Sequence, residues 1–132
     1  MCWCKTLSMV LMVVSTGACR DDRSEASNEL ARGKKLFRHH CAACHGVHGR
    51  GGPLPSAGEV VVARDLTDPG FQAERSDAEL RHALAHGKSR NMPAFEQLLG
   101  PEEKDALVLY IRGLGQEQAS SSSAALESTN KE

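Results

Sequence analysis

The chain has 132 residues, with 16 Lys and Arg against 17 Asp and Glu, and a formal net charge of −1. This length predicts one small domain, and the near-neutral charge argues against nucleic acid or a strongly charged membrane surface as the partner. Aromatic residues are few, three Phe, one Tyr and one Trp, so a bound prosthetic group would add apolar core that a domain this small lacks.

The first 18 residues have the pattern of an export signal. They carry one charge at Lys5, an apolar run over 7–14 and small residues over 16–18, directly before Cys19. The apolar run is too short to span a bilayer. We therefore expect residues 1–18 to be a signal peptide and the protein to be exported.

Cys19 is left as an odd thiol at the start of the mature chain, and its setting resembles a lipoprotein signal. In that signal the cysteine is acylated and becomes the new N-terminus, and Thr16 departs from the aliphatic residue that is usual there. Ordinary cleavage after Ala18, with Cys19 a free thiol, is the alternative. Acylation with two or more chains would hold the protein stably on a membrane, which predicts a location on the periplasmic side of a bacterial membrane.

Two polar segments flank the part of the chain that is expected to fold. Residues 19–28 are charged and turn-prone, and residues 116–132 form a Ser-rich tract. Such compositions cannot bury enough apolar surface to order themselves. We predict a flexible linker over 19–28, a folded domain over 29–115 and a disordered tail over 116–132, the linker letting a tethered domain turn toward a partner.

The first predicted helix runs up to a cysteine-rich motif. Leu30, Gly33 and Phe37 recur at helical spacing. Glycine costs helix stability, so Gly33 indicates a close crossing with another helix.

The stretch FRHHCAACHGVHGRGGP, residues 37–53, holds two cysteines and four histidines in seventeen positions. Its C-x-x-C-H run, Cys41 to His45, is compatible with structural zinc, a redox-active dithiol or covalently attached c-type haem. Zinc needs four ligands, and no second cysteine pair exists, although His82 and His86 on one helix face could serve as a further pair. The same spacing is also that of a solvated helix face. A dithiol exchanger needs the motif at a helix start, whereas here the motif ends a helical pattern.

The haem interpretation uses all three residues of the run at once. Cys41 and Cys44 would bind the porphyrin vinyl groups, and His45 would reach the iron. His39, His40 and His48 are interpreted as surface residues. Further along, EVVVAR at 59–64 is a lone strand-like run without a partner run, so the sequence predicts an all-α domain.

Two more helices follow. The second is predicted to begin at the capping-box pair Ser76 and Glu79 and to end at Gly87. The third is predicted to begin at Pro101 and to stop at Gly115. Its apolar stripe follows i, i+3, i+4, i+7 spacing and consists of Leu107, Tyr110, Ile111 and Leu114.

Met92 lies between these two helices in the segment RNMPAF. Asn91 and Pro93 indicate a loop, so Met92 is not part of an apolar helical stripe. A soft thioether is a suitable sixth ligand for haem iron. Met92 and the C-x-x-C-H run therefore support the same interpretation.

Four segments together resemble a class I cytochrome c: GKKLFRHHCAACHG, GRGGPLP, DAELRHALAHGKSRNMPAF and LVLYIRGL. The resemblance implies a small cytochrome c fold, with three main helices around one covalently attached haem c. It makes Cys41 and Cys44 the attachment residues and His45 and Met92 the axial iron ligands. It also implies that Gly33 and Phe37 cross Tyr110 where the terminal helices pack.

Three further residues receive roles around this haem. Pro53 corresponds to the family proline whose carbonyl accepts the hydrogen bond from the proximal His45, with Pro55 as a rival. Such a bond fixes the ring and raises its basicity. Arg50 and Arg64 are candidates for holding haem propionates, because a guanidinium matches a carboxylate.

The function implied is one-electron transfer in a respiratory or related chain rather than catalysis, since both axial positions are filled. Glu29 is the only acid over 29–50, which suggests a redox partner with an acidic docking surface. The bases of that stretch are Arg32, Lys34, Lys35, Arg38 and Arg50. A haem subunit of a larger membrane oxidoreductase or oxidase complex, and a haem-based ligand sensor, remain as alternatives.

Overall fold

The computed structural model describes residues 22–56, 59–88 and 90–129, so the predicted signal peptide and Cys19 lie outside it. The elements within these ranges are α1 (Asp22–His40), α2 (Ala42–His45), β1 (Gly52–Ser56), β2 (Glu59–Ala63), α3 (Pro69–Glu74), α4 (Asp77–His86) and α5 (Pro101–Thr129). Within the same ranges, none of the helices has both the length and the apolar character of a membrane span.

The crossing of α1 and α5 organises the domain. A Cβ atom on Gly33 would lie 2.0 Å from the carbonyl oxygen of Ala106, so only glycine permits this approach. One turn later Phe37 is fully buried, and its ring centroid is 5.2 Å from that of Tyr110. The predicted crossing is confirmed, and it fixes the position of the cysteine-rich segment that follows α1.

The second predicted helix is also confirmed, as α4. Ser76 and Glu79 form a complete capping box, with each side chain bonding the other residue's backbone N–H. Leu80 and Leu84 are buried. The helix ends at Gly87, whose φ of 73° favours glycine.

Arg112 on α5 ties the two middle helices to the terminal one. Its guanidinium donates to Asp77 Oδ1 at 2.8 Å and to the carbonyl oxygen of Gln72 at 2.7 Å. It also donates to the carbonyl oxygen of Arg75. One half-buried cation thus satisfies backbone acceptors at the end of α3 and an acid at the start of α4.

A two-stranded antiparallel hairpin corrects the prediction that EVVVAR has no partner run. β2 pairs with β1, and Pro53 lies opposite Val62. The partner run was missed because the prolines in GPLPS contradict a strand pattern. In a sheet of two strands both are edge strands, where proline is tolerated. The predicted small helical fold holds, with this hairpin added to it.

Both ends of the described domain are more helical than predicted. α1 begins at Asp22 within the predicted linker, and α5 continues through Thr129, over residues that were predicted to be disordered. Gly115 does not stop α5, because a helix interior tolerates glycine at a cost of about 1 kcal/mol. A Cβ atom there would lie 2.7 Å from the Gln72 side chain, so the glycine serves packing. The boundaries 29–115 remain a prediction.

Candidate cofactor site

A cavity of about 740 Å³ opens beside α4 and the hairpin, and we call it the main cavity. Cys41, Cys44, His45 and Met92 all line it. The structure therefore brings Met92 to the same cavity as the C-x-x-C-H run, from which it is distant in sequence. Apolar side chains that also line the cavity include Phe37, Leu54, Leu66, Leu80, Leu84 and Phe95.

The cysteine–histidine segment is shaped by the short helix α2. The backbone N–H of Cys41 donates to the carbonyl of Phe37 at 2.8 Å, which continues the turn of α1. The N–H groups of Cys44 and His45 then both donate to the carbonyl of Cys41, at 3.1 and 2.9 Å. Two thiols and one imidazole are thus carried on one tight turn at the wall of the main cavity.

His45 is held in one orientation by the backbone. Its Nδ1 lies 3.0 Å from the carbonyl oxygen of Arg64. A carbonyl oxygen only accepts, so Nδ1 carries the proton and Nε2 is free to bind a metal. This second contact is typical of metal-ligating histidines.

This acceptor differs from the prediction, in which the carbonyl of Pro53 accepts the hydrogen bond from His45. The physical reason is the close return of the hairpin to the loop after α2. A Cβ atom on Gly51 would lie 2.2 Å from the carbonyl oxygen of Ala63 and 2.7 Å from that of Arg64. The N–H of Gly51 also donates to the carbonyl of His45 at 2.8 Å. The end of β2, rather than Pro53, is therefore the backbone that reaches the imidazole.

Met92 is presented by a compact loop after α4. Its backbone N–H and carbonyl exchange hydrogen bonds with those of Lys88, at 3.2 and 3.0 Å. A Cβ atom on Gly87 would lie 2.3 Å from the carbonyl oxygen of Met92. The glycine that ends α4 thus lets this loop pack closely, and the half-buried methionine packs against the core.

Cys41 does not have the lowered thiol pKa that a disulfide exchanger needs. Burial raises the pKa of Cys41 to about 11, and the neighbouring Cys44 adds to the rise. An exchanger needs a lowered thiol pKa, because the thiolate is the nucleophile. For zinc, no group of three or more His, Cys, Asp or Glu suited to a metal ion occurs among the residues with described positions.

The two arginines predicted to hold propionates are not brought together. Arg64 is exposed and lines the main cavity. Arg50 does not line it and instead donates to Gln118 Oε1 on α5 at 2.9 Å. Arg75 and Lys88 line the cavity as well, and sequence reasoning missed them. They flank the caps of α4, Ser76 and Gly87, and no sequence pattern pointed to them.

The histidines near the motif differ in exposure. His39 and His48 are exposed, as predicted. His40 is half-buried and lines the main cavity, with its ring edge-on to Phe95 at a centroid distance of 6.1 Å. Of the two histidines on α4, His82 lines the cavity and His86 does not.

Residues 28–111 match the protein-family model described as cytochrome C oxidase, cbb3-type, subunit III. The chain is 33% identical over 87 residues to the cbb3-type cytochrome c oxidase subunit FixP of a Bradyrhizobium species, covering 66% of this chain and 28% of the relative. It is 36% identical over 85 residues to the cytochrome bc1 complex cytochrome c subunit of Corynebacterium diphtheriae, covering 64% and 27%. The chain thus spans little more than a quarter of these relatives.

A solved structure also indicates a c-type cytochrome, and the match covers nearly the whole of that structure. The chain is similar to the KustC0563 c-type cytochrome, with a TM-score of 0.51 and 36% sequence identity. The match covers 62% of this chain and 95% of that one. The predicted fold class is therefore confirmed for the described domain.

Proposed function

The chain belongs to the family described as cytochrome C oxidase, cbb3-type, subunit III, and we propose that its folded part carries single electrons between redox proteins. Its fold is that of a small c-type cytochrome, and its cofactor is covalently bound haem c. The observation that supports the proposal best is the main cavity, which is lined by Cys41, Cys44, His45 and Met92.

The residues present fit this cofactor. We assign the covalent bonds to Cys41 and Cys44 and the two axial positions to His45 Nε2 and Met92 Sδ. The Arg64 carbonyl supports the assignment of His45, because it leaves Nε2 unprotonated. When bound, haem c supplies a one-electron couple between ferrous and ferric iron. Because His45 and Met92 would both bind the iron, no iron position would remain for a substrate, so we propose electron transfer rather than an enzymatic function.

Carbon monoxide binding tests this function against a ligand sensor. We expect the reduced holo-protein to bind carbon monoxide slowly or not at all, because Met92 occupies the sixth position. The Met92→Ala variant is the matched control, and it should bind rapidly because its sixth position is open. Stopped-flow spectra measure both. If the wild type bound carbon monoxide as fast as Met92→Ala does, the function of an electron carrier would be contradicted and that of a ligand sensor favoured.

A basic surface supports a redox partner with an acidic docking face. A second groove of about 490 Å³, which we call the basic groove, is lined by Lys34, Arg38, His48 and Arg50, with Glu117 as its acid. Within the described ranges no ion pair involves Lys34, Arg38 or Arg50. Arg32, in contrast, is already paired with acids of α1 and α5, so we leave it out of the docking surface.

The names of the relatives favour a second candidate. One is a subunit of a cbb3-type oxidase and another of a cytochrome bc1 complex, so we consider a haem subunit of a larger membrane complex as the alternative. Co-purification of the tagged protein with such a complex would favour this alternative. Recovery of the protein alone, with a functional haem, would favour a separate carrier.

We propose in addition that Cys19 is acylated and holds the exported protein on a membrane. Since α1 begins at Asp22, only Arg20 and Asp21 separate it from the anchor, which keeps the domain close to the lipid surface. Cys19→Ser should move the protein from the membrane fraction to the soluble fraction, as measured by immunoblotting. An equal distribution of variant and wild type would contradict the anchor and leave the haem assignment intact.

A further inference from the structure

Two histidines on α4 are not among the residues assigned to haem attachment or iron binding. His82 and His86 are four residues apart, so they lie one above the other on the same helix face. Both are exposed. Their rings stack with centroids 4.3 Å apart and an angle of 22° between the planes. Two histidines four residues apart on one helix face can bind a single metal ion, as the two histidines of the H-E-x-x-H motif do.

A backbone contact prepares His86 as a ligand. Its Nδ1 lies 3.1 Å from the carbonyl oxygen of His82. Because a carbonyl only accepts, Nδ1 carries the proton, and the lone pair of Nε2 is free for a metal. Metal-binding histidines commonly donate their other N–H to such an acceptor. The helix therefore fixes the tautomer of His86 that a metal ion requires.

Two acids lie near the pair in sequence or space, and each is paired with a base, Glu79 with Arg75 and Glu96 with Lys104. The pKa of Glu96 is lowered, mainly by a hydrogen bond from Lys104 and in smaller part by His86. That dependence places the ionised Glu96 carboxylate within the electrostatic reach of His86. One turn before His82, the pKa of Glu79 is lowered as well, mainly by the hydrogen bond from the backbone of Ser76. Because Arg75 and Lys104 already neutralise these carboxylates, the case for a metal site rests on the geometry of the two imidazoles.

We propose that His82 and His86 bind one divalent transition-metal ion of the class that prefers imidazole, such as Zn²⁺, through their Nε2 atoms. Among the described residues, no third His, Cys, Asp or Glu joins them in a metal cluster. Water therefore completes the coordination, and the ion exchanges with solvent.

The position of the site connects it to the haem. His82 also lines the main cavity, so a bound ion adds positive charge beside that cavity. Positive charge favours ferrous over ferric iron and raises the reduction potential. This consequence rests on the proposed function, whereas the binding of the ion does not.

Titration of the holo-protein with zinc chloride in a calorimeter tests the site, and zinc is suitable because it has no redox chemistry of its own. We expect one Zn²⁺ per wild-type chain. His82→Ala and His86→Ala should each weaken binding at least about tenfold, the smallest loss seen when even a supporting contact of a metal site is removed. His48→Ala is the matched control and should bind as the wild type does.

A second measurement compares the reduction potential with and without zinc. It should rise in the wild type and stay constant in His86→Ala. Absence of zinc binding by the wild type, or binding by both α4 variants as tight as that of the wild type, would overturn the site while leaving the haem assignment intact. If His82→Ala altered the haem spectrum without zinc, His82 would be an iron ligand. That result would overturn both this site and the assignment of Met92.

Discussion

Replacing both Cys41 and Cys44 with serine should yield a protein that holds no haem covalently. Serine hydroxyls do not form thioethers with the vinyl groups, so acid–acetone should extract any pigment from the variant and none from the wild type. The unfolding free energy should also fall by about 3 kcal/mol or more, the size of deleting one large buried side chain. The reason is that apolar residues such as Phe37 and Leu80 line the main cavity.

Single substitutions test the two thioether bonds separately. Either Cys41→Ser or Cys44→Ser alone leaves one thioether, so the pigment should resist extraction while its spectrum shifts. Cys19→Ser is the control for the loss of a thiol elsewhere, and it should leave attachment unchanged. If acid–acetone extracted the pigment from the wild type, the haem would not be covalently bound and the assignment of both cysteines would be wrong. No other cysteine lines the described cavity.

The sequence predicted those elements whose signals are local. The capping box of Ser76 and Glu79 needs only residues three apart, and it defines the start of α4 as predicted. Gly33 costs helix stability unless another backbone approaches it closely, and Ala106 does so. Local propensity and long-range packing agree at these positions, which is why the terminal-helix crossing could be predicted.

The parts that sequence reasoning missed depend on contacts between distant backbones. The strand β1 carries prolines, so its pairing with β2 shows no alternating pattern. The carbonyl that orients His45 belongs to Arg64, and its position follows only from that hairpin. Because a carbonyl is present in every residue, no side-chain pattern could distinguish Arg64 from Pro53 as the acceptor.

The continuation of α5 past Gly115 shows that composition alone does not predict helix length. The Ser-rich composition after Gly115 indicates disorder, yet serine hydroxyls in this segment donate to carbonyls in the preceding turn, as Ser121 does to Glu117 at 2.8 Å. Arg50 adds a contact to Gln118 at 2.9 Å from outside the helix. This tertiary contact accounts for the exclusion of Arg50 from the main cavity, and composition alone contains no sign of it.

Removing the sulfur of Met92 should change the electronic state of the haem without destroying the fold. Met92→Ala and Met92→Leu should both lose the weak far-red sulfur-to-iron band of the ferric protein. They should also lower the reduction potential, on the order of 100 mV, within the range of about 0.8 V that axial ligands cover. The thioether favours ferrous iron, whereas water or an incoming histidine stabilises ferric iron better.

The two substitutions separate ligation from packing. Met92 packs against the core, so Met92→Ala also removes apolar contact, whereas Met92→Leu conserves volume and should cost less than about 1.5 kcal/mol. An equal loss of the band in both variants, with a larger loss of stability in Met92→Ala, would identify sulfur as the ligand. His82→Ala should retain the band. If the band were absent from the wild type and His82→Ala alone changed the spectrum, ligation would be by two histidines. The protein would then be a carrier of lower potential, because imidazole stabilises ferric iron more than a thioether does.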